Sequence, residues 1–292
     1  MPSLLQTVPP DAAEADAAQA DAARGDAARA DPRPTGAPAK RNGAATAVHE
    51  RVLSVVASRI CREDGAGRPG EACLEALCES LLASPEAFKA ALARLRIVRG
   101  LGDAEIIDSY IPAIACQLGE DWTASRRSFV DVTIGTARLI AAVREITAAW
   151  KPVSDRRAPG IAMVVPDAEQ HRLGAIIAAS RFRRLGASVR LLMGCRDDEI
   201  ATVVRKGAFD MLSFSIASRR TLEETRRLIH MLRDDLSPLP PIVVGGAIGI
   251  PAEDLKAMTG ADHAATDPEE AMCRCEMKLP RPLQLGAAPA GP

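Results

Sequence analysis

Aromatic residues are scarce: Phe, Trp and Tyr make up 3% of the 292 residues, with two tryptophans and one tyrosine. A surface that stacks nucleobases on successive rings is therefore not expected of this chain. Charge of one sign is missing as well. With 37 basic against 38 acidic residues the formal net charge is −1, so bulk electrostatics offers no pull on a polyanion, and nucleic-acid binding would need a local patch. No run approaches the roughly 20 apolar residues of a membrane span. The opening MPSLLQTVPP has neither a basic n-region nor an apolar h-region. From these absences the protein is expected in the cytoplasm and away from membranes. The seven cysteines, at 61, 73, 78, 116, 195, 273 and 275, are scattered and odd in number, which predicts reduced thiols. The one close pair, Cys273 and Cys275, lacks the further ligands that a zinc site requires.

What is present is enough apolar residue, 47%, to fill two cores of ordinary size. Residues 11–31 repeat Asp every five positions. Five residues advance a helix by about 500°, so the aspartates spiral and no apolar stripe forms. With PRPTGAPAKRNG following, residues 1–44 are expected to be a disordered tail. Helical periodicity then begins. VHERVLSVVASRI brings Val48, Val52, Val55, Val56 and Ile60 close to one face. Ser84 and Pro85 start a helix that Gly100 stops, Asp103 is placed to cap the next one, and a long run extends from Ser125 to Trp150. At least four helices over 45–153 make a small bundle.

SDRRAPG reads as a linker, and beyond it the pattern becomes strand, glycine, helix, repeated. Strands are expected at 160–165, 188–193, 209–216, 241–246 and 262–266, separated mostly by helical stretches of ten or more residues. That spacing implies right-handed crossovers and a five-stranded parallel, doubly wound α/β domain over 154–280, with 281–292 a second disordered tail. Ligands of such sheets sit at the carboxyl ends of the strands, which is where His171, Ser215, Gly245 and Gly246 fall. Spacing alone leaves His171 open between a loop-to-helix junction and a ligand for a metal-centred cofactor.

The motifs at those ends are EQHRLG over 169–174, SIA over 215–217 and GG at 245 and 246. Together they resemble the cobalamin-binding domains of the flavodoxin-like (Rossmann-like) type, whose signature is Asp-x-His-x-x-Gly, Ser-x-Leu and Gly-Gly after the first, third and fourth strands. The resemblance implies that His171 ligates cobalt from below while Glu169 holds and orients its imidazole. It also implies that Gly174, Ser215, Gly245 and Gly246 border the displaced nucleotide tail, with Gln170 and Ala217 inside the motifs and Thr221 supporting the acid. Glu169 stands where the family has Asp, and Ala217 where it has Leu. The helical half resembles the four-helix cap of methionine synthase and of cobalamin photoreceptors, in which Trp122 would cover the upper face of the cofactor. Val132 and Thr133 stand where those relatives carry Glu-His.

That departure, with the VTIGTARL run and the chain length, resembles the AerR/PpaA antirepressors of photosynthesis genes. The resemblance implies a light- or redox-responsive regulator that binds hydroxo- or adenosylcobalamin and acts, without catalysis, on a partner repressor of the PpsR/CrtJ type. Two alternatives keep the fold: a corrinoid methyl carrier of a methyltransferase system, and a haem sensor, for which one well-placed histidine also suffices. His49 and His230 read as surface or packing residues. His263, in the last strand, is expected to touch the nucleotide tail. The arginine pairs at 126–127, 183–184, 219–220 and 226–227 read as solvated helix faces, and with no helix-turn-helix, direct sequence-specific DNA reading is not expected.

Overall fold

The computed structural model describes residues 63–64, 68–150, 158–169, 171–246 and 248–277. The expected tails at 1–44 and 281–292, the amphipathic segment at 48–60, His49 and Gln170 lie outside the described residues. A two-residue antiparallel pair, Glu63–Asp64 with Arg68–Pro69, precedes the helical half. There follow α1 (Glu71–Ala83), α2 (Pro85–Arg99), α3 (Asp103–Glu105), a π turn (Ile106–Tyr110), α4 (Ile111–Thr123) and α5 (Phe129–Ala148).

The α2 boundaries follow local chemistry. Ser84 Oγ accepts from Ala87 N at 3.0 Å, Pro85 fills the first turn, and Gly100 takes φ 67° to end the helix. Two other starts differ from expectation. Asp103 is already helical and Gly102 is the N-cap, because the Asp103 carboxylate is engaged instead by Arg96 Nε at 2.9 Å. The long helix begins at Phe129, capped by Ser128 in a reciprocal box with Asp131, while Ser125 lies in the preceding turn at φ 56°.

Residues 160–274 form the second half. Strands β1 (Gly160–Val165), β2 (Ser188–Met193), β3 (Met211–Ser215), β4 (Ile242–Gly245) and β5 (His263–Ala265) alternate with α6 (Arg172–Arg184), α7 (Asp197–Lys206), α8 (Leu222–Asp235), α9 (Ala252–Thr259) and α10 (Pro268–Arg274). The last three strands are each one or two residues shorter at their ends than the sequence pattern suggests. All neighbours are parallel, in the order β2-β1-β3-β4-β5. The strands read as continuous apolar runs because both sheet faces are covered. Ala162, Val164, Leu212, Phe214 and Val244 pack toward α7, α8 and α9, and Ile161, Met163, Val165 and Val243 toward α6 and α10.

This is the flavodoxin-like α/β fold, and its strand order reverses between β1 and β3, opening a crevice at their carboxyl ends. Leu173 and Ile176 of α6 belong to the same apolar cluster as Leu77, Phe88, Ile107, Leu118 and Leu139 of the helical half, so the two halves share a core. Among the described residues no helix is long and apolar enough to cross a membrane.

Candidate functional site

Pro166 ends β1, and a turn closed by Glu169 N donating to Pro166 O at 3.0 Å turns the Glu169 side chain into the β1/β3 crevice. Glu169 is 1% exposed, so its carboxylate lives or dies by its hydrogen bonds. Oε1 accepts from His171 N at 2.9 Å and from His171 Nδ1 at 2.7 Å. Oε2 accepts from Ala217 N at 2.9 Å, Ser218 N at 3.0 Å and Thr221 Oγ1 at 3.2 Å. The Thr221 hydroxyl, fully buried, also points at Ser218 O at 2.7 Å, so one proton is shared between two acceptors. Burial works to raise this carboxyl, but the donors from His171, Ala217 and Thr221 outweigh it and bring it from 4.5 down to about 2.

An ionised carboxylate accepts only, so Nδ1 of His171 must carry the proton in this contact. In the neutral imidazole Nε2 then keeps its lone pair. The imidazole is 68% exposed on its side chain, and it stands at the N-cap of α6. The extra methylene of Glu169 does not prevent the contact. It lets one oxygen hold the histidine while the other reaches the backbone that leaves β3. A basic nitrogen, fixed in tautomer and direction and presented to solvent, is the donor a soft or borderline metal centre requires. These residues fit a metal-centred cofactor that takes one imidazole ligand.

The two glycines at the end of β4 have a reason within the protein itself. A Cβ on Gly246, which has φ 138°, would stand 1.9 Å from Ile216 O, and one on Gly245 would stand 2.7 Å from Ala265 O. They let β4 lie close against its neighbours at the crevice. Ser215, half-buried, is the last residue of β3 and pairs with Gly245. Gly174 sits in the first turn of α6 with open space where a Cβ would be. The structure thus brings Glu169, His171, Gly174, Ser215, Ala217, Thr221, Gly245 and Gly246 to one end of the sheet.

His263 is not among them. It opens β5 opposite Val243, two residues before the strand's carboxyl end at Ala265, and so lies some 6–7 Å down the sheet from the crevice. The backbone donors of Ala217 and Ser218 are the part that residue types could not announce, since any side chain there supplies the same N–H. A groove of about 730 Å³ beside α7 and α8, lined by Asp167, Arg196, Asp198, Arg205 and Asp235, contains neither His171 nor Glu169.

The helical half carries a different surface. The Arg184 guanidinium at the end of α6 lies 5.7 Å over the ring of Trp150, just past the end of α5, and α5 packs against α6. The first turns of α5 carry Phe129, Val130 and Ile134, exposed by 69%, 60% and 41%, and Trp122 near the end of α4 is exposed by 51%. The Trp122 and Phe129 rings are 6.4 Å apart, tilted by 59°. Thr133 turns its hydroxyl to its own helix at Phe129 O, 2.8 Å away, and the Asp131 carboxylate is tied to Ser128.

Residues 160–274 match the B12 binding domain. The chain is 30% identical over 166 residues to the uncharacterized 20.5 kDa protein in the bchF-crtJ intergenic region of Rhodobacter capsulatus, an alignment covering 56% of this chain and 86% of that one. Among solved structures it is similar to the monomethylamine corrinoid protein of Methanosarcina barkeri, with a TM-score of 0.53 and 18% identity over 70% of this chain and 95% of the other. That likeness concerns the fold.

Proposed function

Because the chain belongs to the same family as the Rhodobacter capsulatus protein and carries a B12 binding domain, we propose that it is a cobalamin-binding regulator of the AerR/PpaA type, an antirepressor of photosynthesis genes. The observation that carries the cofactor assignment is the Glu169–His171 pair at the β1/β3 switch point. His171 Nε2 would ligate the metal, Glu169 would hold the imidazole, and the exposed Trp122, Phe129, Val130 and Ile134 would border the corrin from the bundle. When bound, the corrin would supply a cobalt centre that responds to light or to redox state, in the hydroxo- or adenosylcobalamin form. The chain's own part is to present one ligand from the sheet and one apolar wall from the bundle.

The regulatory half of the reading is supported by the relative's position beside crtJ, given in its name. A partner repressor of the PpsR/CrtJ type, met in the cytoplasm, is the proposed target. A ligand shifts a conformational equilibrium only through contacts that differ between two states, and here the contacts are split between two halves of the molecule. A change in the state of the bound group would reach the bundle residues and His171 unequally. A coupling of roughly 1–3 kcal/mol suffices to switch partner occupancy.

The test is calorimetric titration of the full chain into such a repressor in three forms: without cofactor, cobalamin-loaded in darkness, and loaded after illumination. Affinity should differ at least fivefold between two of the forms. Equal affinity in all three, or efficient methyl transfer from the loaded protein to a thiol acceptor, would replace the regulator by a methyl carrier. A porphyrin spectrum in the purified protein would replace cobalamin by haem.

A further inference from the structure

The turn that joins α4 to α5, residues 124–128, is fixed by one buried side chain. Asp121 is 7% exposed. Its Oδ1 accepts from Gln117 Nε2 at 2.9 Å and from Arg126 Nε and Nη2 at 3.1 and 2.7 Å, and its Oδ2 lies 3.6 Å from Arg127 Nε. The Asp121 carbonyl accepts from Arg126 N at 2.7 Å and Arg127 N at 3.2 Å. Arg127 also reaches back to Glu79 on α1. Within this turn Ser125 takes φ 56°, a conformation that an L residue adopts where its surroundings impose it. One carboxylate, two guanidinium groups and two backbone amides therefore converge on five residues.

What those contacts hold in place is the pair on either side of the turn. Trp122 follows Asp121 directly, and Phe129 follows the Ser128 cap. Neither ring is buried, so a fixed separation of 6.4 Å adds nothing to the core. A rigid, exposed apolar wall is of use to a ligand, because whatever binds there no longer has to order it.

We propose that Asp121 is a positioning residue for the cofactor: it fixes the 124–128 turn so that Trp122 and Phe129 form a preorganised face for the corrin. This rests on the cobalamin reading above. Asp121 is 7% exposed and would act through the two rings alone.

The experiment compares the full-length wild type with Asp121→Asn, with Arg126→Gln as a milder variant whose side chain is 60% exposed in the parent, and with the Trp122→Ala/Phe129→Ala double variant. Hydroxocobalamin affinity is measured by equilibrium dialysis, and tryptophan fluorescence anisotropy is recorded without cofactor, with Trp122→Phe identifying the Trp122 signal. Asp121→Asn should weaken binding roughly tenfold and lower the Trp122 anisotropy. In the background lacking both rings the same substitution should have almost no further effect, which a general loss of structure would not produce. An equal loss with and without the rings, or wild-type affinity in both Asp121→Asn and Arg126→Gln, overturns the proposal and leaves the cobalamin reading standing. Absence of hydroxocobalamin binding by the wild type overturns both.

Discussion

The two surfaces proposed to hold the cofactor are built by opposite means. On the sheet, a buried carboxylate receives five hydrogen bonds and hands one exposed nitrogen to solvent. On the bundle, four apolar side chains stand in solvent at the end of α4 and the start of α5. The sheet surface is specific because a metal ligand must have its proton removed and its direction set before the metal arrives. The bundle surface has only to be flat, apolar and in place. A substitution at Glu169 should therefore act on ligation and on folding together, whereas one at the exposed His171 or at the apolar surface should act on binding alone.

The largest effect is expected at His171. His171→Ala removes the ligating nitrogen and should weaken hydroxocobalamin binding by more than about 100-fold. The side chain is 68% exposed, so helical content and melting temperature should stay close to wild type. Glu169→Gln comes next, with a loss of about 10- to 100-fold in affinity. It should also cost stability, since holding this buried carboxyl at about 2 instead of 4.5 corresponds to about 3 kcal/mol. The folded form depresses this group, so its contribution is complete above about pH 4.5 and is lost as the pH falls toward 2. The difference in unfolding free energy between wild type and Glu169→Gln, measured by urea titration, should shrink across that window. A constant difference would show that the carboxylate's charge is not what stabilises the turn.

The bundle surface gives smaller numbers. Trp122→Ala should weaken binding by about three- to tenfold with unchanged urea stability, read by the same dialysis. A loss as large as that of His171→Ala would reverse the contrast between the two walls. Deleting residues 1–44 should alter neither cofactor affinity nor melting temperature, because the Asp-spaced repeat offers no apolar face for either half. A drop of several degrees on deletion would mean that the segment is docked.

The sheet half was more legible than the bundle, for a physical reason. Strands buried on both faces read as apolar runs, and the residues at their ends are held by backbone register, so motif order alone located His171, Ser215, Gly245 and Gly246 at one edge. Thr221 was legible as the support for the acid, and its hydroxyl does contact Glu169. His263 stands at the first residue of a strand whose two ends are only two residues apart, so its place in the last strand did not by itself put it at the crevice. In the bundle the starting points of α3 and α5 were misplaced because Arg96 takes the Asp103 carboxylate and because Ser128, with Asp131, caps the long helix only after a turn that Asp121 holds through Arg126. Such pairings have no sequence period.

The central claim is that Nε2 of His171 is presented as a cobalt ligand while Glu169 holds Nδ1. Electron paramagnetic resonance of the reduced, cobalt(II) form tests this directly, using protein labelled with nitrogen-15 histidine and unlabelled cobalamin. Ligation by His171 should split the cobalt lines into nitrogen-15 doublets, which vanish in His171→Ala. Triplets from nitrogen-14 in the labelled wild-type protein would mean that the cofactor keeps its own base, and would contradict the account.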